Sequence, residues 1–300
     1  MLLSALPDRR AATAPHASAV ADDSIDLDNS QFLAAVRRAA ASLRMVGVSP
    51  GDVVAVILPD TATLVVSMFA AWRLGAAVTL VDPSTDTGSR QYEVDAKVLI
   101  TAQPSTTTPP TQLVISAHDL TAAEPDTDGP RPSGGAPVLV TRTDSGRDIL
   151  LGAVHLDALS RFLVEVFALT DTDRNLVAMS SARVNGIVVG VLSPLLAGGS
   201  VTLAGAIGST TIFDRIRRSR ATWFSAEPDT YAELAALPDH TRPEVPSLRF
   251  AVCCDARIDT ELRSMFEHRY GIPIINGYGL KEVYERAHAA FSPASATRVP

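Results

Sequence analysis

The residues able to do chemistry in this 300-residue sequence stand outside the standard catalytic motifs. There is no GxSxG elbow, no Rossmann glycine fingerprint and no metal-ligand spacing of His, Cys, Asp and Glu. Neither a metal nor a cofactor is therefore expected. The two cysteines, Cys253 and Cys254, are adjacent, and adjacent cysteines pair only with strain. That argues against a disulfide framework and for a reducing, cytoplasmic setting. Cys254 follows an apolar run beside Asp255 and would act as a nucleophile only with its thiolate favoured; the commoner role of a free cysteine is a small buried hydrophobe. The other candidates are charged. Arg183 offers a planar fork that suits a carboxylate or an oxyanion. Glu227 and Asp229 flank Pro228, and either becomes a general-base candidate if burial raises its pKa toward neutrality. Lys281 is suited to stabilise developing negative charge, while Tyr278 and Glu282 on either side of it would bind a carboxyl group or ordered water, or simply hold a turn.

The elements that must position these residues alternate along the chain. Residues 31–46 place Phe32, Leu33, Val36, Ala40 and Leu43 at helical spacing, with Arg37 and Arg38 turned the other way. Apolar runs at 53–60, 76–83 and 97–102 surround a predicted helix over 61–74. From 137 the spacing predicts strands at 137–141, 175–180, 200–204, 221–225, 248–253 and 272–276, with helices at 156–168, 186–197, 211–218, 228–236 and 259–269 between them. Short apolar runs alternating with helices predict an α/β fold with largely parallel sheets. Residues 103–110 and 122–136 are rich in Pro, Thr, Gly and Asp; both are expected to be loops, the second a mobile one. The rhythm falls into two halves, 1–135 and 136–300, read as two packed βα subdomains.

Composition narrows the function classes. With 46% hydrophobic and 20% charged residues the chain is globular. A net charge of -7 leaves no basic surface for phosphate backbones or anionic lipid, so nucleic acid and membrane are not expected as partners. The N-terminal apolar stretch is too short for a signal peptide, and no run approaches a membrane span.

Three segments carry a family resemblance. GDVVAVILPDTATLVVSMFAAWRLGAAVTLVDP (51–83) resembles the opening of the adenylate-forming superfamily of acyl-CoA synthetases, nonribosomal adenylation domains and luciferases, where "pGDrVai.lpNs.efv.a.lg.lraGavvvplnP" recurs. NGIVVGVLSPLLAGGSVTLAG (185–205), followed by ATWFSAEPDTYAEL (221–234), is similar to the acyl-pocket region of the acyl-CoA synthetases. LRFAVCCDARIDTELRSMFEHRYGIPIINGYGLKE (248–282) resembles the region ending in the family's "YGmTE". The three keep the family order over most of the chain. The resemblance implies two βα subdomains with the acyl and adenylate sites at the carboxyl ends of their strands.

The departures from the family pattern shape the functional expectation. Where the family's phosphate loop reads approximately YTSGTTGxPKGV…TH, this chain has VTRTDSGRDILLGAVH (140–155). Arg142, Thr143 and Asp144 replace expected residues, and Ile149 stands in the place of the lysine; a carboxylate in an anion cradle repels phosphate. His155 aligns with a family histidine and is expected to be structural. Arg183 stands where the family has an aromatic or histidine, and Lys281 where it has the threonine of YGxTE. By alignment, Arg183, Glu227, Asp229, Asp255 and Lys281 fall near one cavity. The expected catalytic set is Arg183, Glu227, Asp229 and Lys281; Asn185, Cys254, Asp255, Tyr278 and Glu282 are the expected substrate-binding set. The family continues well beyond the position of Glu282 into a mobile C-terminal domain that is expected to be absent here. Together these point to an ATP-independent enzyme on an adenylate-forming scaffold, acting by a hydrolase-type reaction on an acyl, amide or carboxylate-bearing metabolite of specialised metabolism. Two alternatives stay open: a non-catalytic protein that binds a carrier protein or partner enzyme, and a residual acyl-AMP ligase completed by a separate C-terminal domain.

Overall fold

The computed structural model describes residues 2–83, 96–102, 113–131, 137–142, 148–205, 208–238, 243–254 and 256–277. Val-rich segments form two largely parallel sheets. The first has six strands, β6-β5-β3-β4-β7-β8, drawn from β3 (Val53–Ile57), β4 (Ala77–Leu80), β5 (Val98–Thr101), β6 (Leu113–Ser116), β7 (Pro137–Arg142) and β8 (Asp148–Gly152). The second has seven, β13-β12-β11-β9-β10-β1-β2: β1 (Ser18–Ala21), β2 (Asp26–Asp28), β9 (Arg174–Ala178), β10 (Ser200–Leu203), β11 (Trp223–Ala226), β12 (Phe250–Cys253) and β13 (Ile274–Asn276). Among the described residues, only the β1/β2 and β7/β8 pairs are antiparallel.

The parallel α/β reading holds, but a division at residue 135 does not follow the sheets. β1, from the first half of the chain, pairs with β10, and β7, from the second half, pairs with β4. The reason is edge pairing: β10 and β4 would otherwise expose open backbone edges. Each sheet thus takes strands from both sides of residue 135.

One apolar cluster joins the facing sides of both sheets, Val54, Val56 and Val78 from the first and Val177, Val201 and Trp223 from the second. Between them lie side chains of the helices Asn29–Met45, Ala62–Arg73 and Ala153–Val166. The far face of the second sheet is covered by the helices Ser209–Ser219, Pro228–Ala235 and Thr260–Tyr270, through Ile212, Ile216, Tyr231, Leu234 and Phe266. Helix Asn29–Met45 begins with a capping box, Asp28 accepting from the Gln31 N–H while the Gln31 side chain accepts from the Asp28 N–H. Phe32, Val36, Ala40 and Leu43 are wholly buried, as their spacing predicts.

The segment 122–131 is irregular, as its composition predicts, yet it is anchored. Arg44 holds Asp126 at 2.6 Å, the buried Arg73 donates to the Asp128 carbonyl at 2.6 Å, and the Arg131 N–H donates to the Arg73 carbonyl at 2.9 Å. The expectation of a mobile loop here is corrected for 122–131: polar composition cannot form a core, but its carboxylates and carbonyls are acceptors for the arginines of two helices. Residues 132–136 and 103–110 lie outside the described residues.

Candidate functional site at the carboxyl edge

The chain leaves β9 through helical segments to β10 on one side, and leaves β11 through the helix Pro228–Ala235 to β12 on the other. The outgoing connections of two neighbouring parallel strands, β9 and β11, therefore diverge. Divergence opens a crevice at the carboxyl ends of those strands, the place where open α/β sheets bind ligands. Arg183 follows β9 and Glu227 immediately follows β11, so the topology delivers one charge from each wall. Arg183 Nε lies 3.9 Å from Glu227 Oε1, with the side chains 54% and 35% exposed.

Backbone constraints fix the Arg183 wall. A Cβ on Gly186 would lie 2.2 Å from the Ser180 carbonyl oxygen, so glycine alone lets residues 180–186 fold back on themselves. The Ile187 N–H then donates to the Arg183 carbonyl. Gly186–Leu192 is a π-helix, followed by an α-helical turn, Ser193–Leu196, where the sequence predicts one regular helix over 186–197. The wider turn redirects carbonyls that an α-helix would satisfy. The Asn175 amide donates to Gly190 O at 2.8 Å, and the Ser193 hydroxyl to Val188 O at 2.6 Å. π-Segments of this kind are frequent beside functional sites.

The Glu227 wall is stitched to its neighbours by main-chain bonds beyond the strands. Cys254 N–H donates to Ala226 O at 3.0 Å and Gly277 N–H to Cys253 O at 2.8 Å. Behind them the fully buried Tyr231 donates its hydroxyl to Val252 O at 2.8 Å. Burial, with Cys253 and Cys254 adding to it, pushes the Tyr231 phenol well above its ordinary range, so it remains a donor. Sequence reading missed Tyr231 because a helical tyrosine at core spacing has no distinguishing signal.

The first sheet contributes two further carboxylates at its carboxyl edge. Asp60, just beyond β3, accepts from the Ser181 N–H at 2.8 Å; Asp82, just beyond β4, accepts from the Ser180 hydroxyl at 3.4 Å. Burial pushes the Asp60 carboxyl above the ordinary range; the Ser181 N–H works against this, and the nearby Asp82 charge reinforces it. These contacts join the two sheets where Arg183 begins its turn. A signal for Asp60 was present in the sequence: it stands where the family pattern has the asparagine of "lpN".

The other sequence-predicted residues divide. Asn185 is buried at the entry to the π-helix. Asp229 is exposed in the first turn of the helix Pro228–Ala235, a position where a carboxylate complements the helix dipole. Neither it nor Glu227 has the deep burial on which the general-base expectation rested. Cys254 is wholly buried within the central apolar cluster, the setting of a small hydrophobe. His155 lies in the first turn of the helix Ala153–Val166. Asp255, Tyr278, Lys281, Glu282 and the loop residues 143–147 lie outside the described residues. Among the described residues no group of three or more His, Cys, Asp or Glu is placed to hold a metal ion, and no helix is long and apolar enough to cross a membrane.

As chemistry, the crevice sets a guanidinium beside a carboxylate. A half-exposed ion pair at 3.9 Å is too long for a hydrogen bond and contributes about 0–1 kcal/mol to stability. An incoming carboxylate seated bidentately on the fork at about 2.8 Å makes a stronger contact than Glu227 does.

A family model described as AMP-binding enzyme matches residues 7–145 and 152–294. Similar proteins include the oxalate–CoA ligase of Arabidopsis thaliana, 26% identical over 92% of this chain and 58% of its own length, and the feruloyl-CoA synthase of an Amycolatopsis species, 29% identical over 98% and 63%. The chain thus spans less than two thirds of the length of these relatives. Among solved structures, the N-terminal domain of FACL13 from Mycobacterium tuberculosis superposes with a TM-score of 0.84 at 18% identity, covering 97% of this chain and 81% of that one.

Proposed function

We propose, from the premise that this chain belongs to the AMP-binding enzyme family, that it binds a small organic acid in the crevice between β9 and β11 and takes part in activating it as an acyl group. The observation that carries this reading is the Arg183–Glu227 pair at the diverging carboxyl ends of those strands. Arg183 holds an anionic group of the acid and sets its orientation, since the planar fork accepts a carboxylate in one plane only. The Gly186 turn and the Asp60–Ser181 contact keep that fork in place. Glu227 repels a misplaced anion and narrows the productive pose to the Arg183 side. A polar pair of this kind favours a compact, highly charged acid such as oxalate over an aromatic one such as ferulate, the two acids named for its relatives.

A second reading is ATP-independent hydrolysis of an acyl or amide bond, with Arg183 holding the oxyanion and Glu227 as base. Asp144 and Ile149, in the stretch that corresponds to the family's phosphate loop, favour it, because a carboxylate there opposes a polyphosphate. Titration calorimetry with oxalate and ferulate, run beside ATP–pyrophosphate exchange, separates the two. Oxalate-dependent exchange that Arg183→Ala abolishes supports acyl activation. Acid binding with no exchange, together with turnover of an acyl thioester or amide, moves the assignment to hydrolysis. No acid binding at all overturns both and leaves a partner-binding role.

A further inference from the structure

The opposite, amino-terminal edge of the second sheet holds a cleft of about 510 Å³ lined by His16, Ser18, Asp171, Arg174, Ser200 and Arg220, among others. We propose that this cleft is a second binding site, separate from the carboxyl-edge crevice, for a compact oxyanion of the phosphate monoester class. The proposal does not depend on the reaction assigned above.

Charge is the first argument. The chain carries a net -7, yet two guanidiniums, Arg174 and Arg220, line this one cleft against the single lining carboxylate Asp171. Among the described residues, neither arginine side chain has a hydrogen bond or ion pair. Their neighbours do: Arg249 holds Asp173, Arg217 holds Asp214, and Arg215 holds Asp23. Asp173, the buried carboxylate nearest in sequence, is already occupied by Arg249, Thr222 and Thr170. His16 reaches only Asp28, at 3.5 Å.

Backbone conformation is the second argument. Arg220 has φ 52° and ψ 40° in the left-handed region, at the position that ends the helix Ser209–Ser219. Glycine is the usual residue there, and a side chain costs on the order of 1 kcal/mol. Complementing the helix dipole does not account for it, because Arg217 and Arg218 already stand in the last turn. A strained residue whose charged head has no partner and lines a cleft is the kind of outlier from which a binding role follows. Ser18 and Ser200 also line the cleft, and their hydroxyls can donate to an oxyanion. The cleft is larger than a phosphate group, so a small organic substituent fits with it.

The test is thermal unfolding of the full chain in sodium chloride against inorganic phosphate and against glycerol 3-phosphate, at matched ionic strength. A saturable rise in Tm of about 2 °C or more is expected. Arg220→Gly relieves the left-handed strain, so its Tm without phosphate should equal or exceed that of the parent while the phosphate-dependent rise disappears. Arg174→Gln should lose the rise as well, and Arg183→Ala, at the other edge, should keep it. Absence of a saturable rise, a rise that survives Arg220→Gly and Arg174→Gln, or a rise removed by Arg183→Ala would each overturn the proposal.

Discussion

The two ends of the same parallel strands carry the same kind of pair in opposite states. At the amino ends, Asp173 precedes β9, Thr222 precedes β11 and Arg249 precedes β12. The Asp173 side chain is 3% exposed and accepts from Arg249 at 2.6 Å, from the Thr222 hydroxyl at 2.6 Å and from the Thr170 N–H at 2.8 Å. At the carboxyl ends, Arg183 and Glu227 stand 3.9 Å apart and are only partly buried. A buried carboxylate with all its acceptors engaged fixes the spacing of three strands, whereas a partly exposed pair at 3.9 Å contributes about 0–1 kcal/mol. Arginine and carboxylate are the same residue types at both ends; burial and geometry make one pair a structural tie and leave the other weakly coupled.

The largest expected effect is at the tight end. Asp173→Ala leaves the Thr222 hydroxyl, the Thr170 N–H and the half-exposed Arg249 without their acceptor, and should cost about 3 kcal/mol in chemical denaturation. If the contrast is right, the protein that remains folded still binds the acid. An Asp173→Ala variant as stable as the parent would break the comparison at its firmer side.

An intermediate effect is expected between the sheets. Because Asp60 has a raised folded-state pKa, the folded chain holds a proton that the unfolded chain releases at about pH 4. Its contribution to stability is therefore present at low pH and lost as pH rises through the folded pKa. Asp60→Asn removes that loss, and the asparagine carbonyl still accepts from the Ser181 N–H. The variant should be more stable than the parent at pH 7, with the gap closing as the pH falls toward 4. Denaturation curves across that range check it; parallel pH profiles for the two proteins would show that Asp60 does not titrate as its surroundings indicate.

The smallest effect on stability is at the loose end, and it sharpens the comparison most. Arg183→Ala should change unfolding free energy by less than about 1 kcal/mol while weakening acid binding about tenfold or more. Glu227→Gln should leave stability similarly unchanged and tighten binding, since it removes the competing anion. A drop of several kcal/mol for Arg183→Ala would make the pair a structural one like its counterpart at the amino ends.

Much of this architecture is written in local sequence. The period of Phe32, Val36, Ala40 and Leu43 specifies a helix face, and the capping pair Asp28 and Gln31 begins that helix. Valine-rich runs bounded by glycine, proline or aspartate specify buried parallel strands, because a strand apolar on both faces must be covered on both. The residue types in the crevice are legible too, since Arg183 and Glu227 depart from the pattern of similar sequences. Other features depend on partners far along the chain. The strands Ser18–Ala21, Asp26–Asp28 and Leu113–Ser116 are short, and β2 is rich in aspartate; they exist because a neighbouring edge supplies their hydrogen bonds. The run 186–197, apolar but for Ser193, has no periodicity to separate a π-helix from an α-helix; the Asn175 amide and the packing of Gly190 against Val177 favour the wider turn. The contact of Asp60 with Ser181, 121 residues apart, and the burial that separates Asp173 from Glu227 arise only when two sheets bring their edges together. Sequence determines which charges are present, and tertiary structure sets their solvation, which decides what each one does.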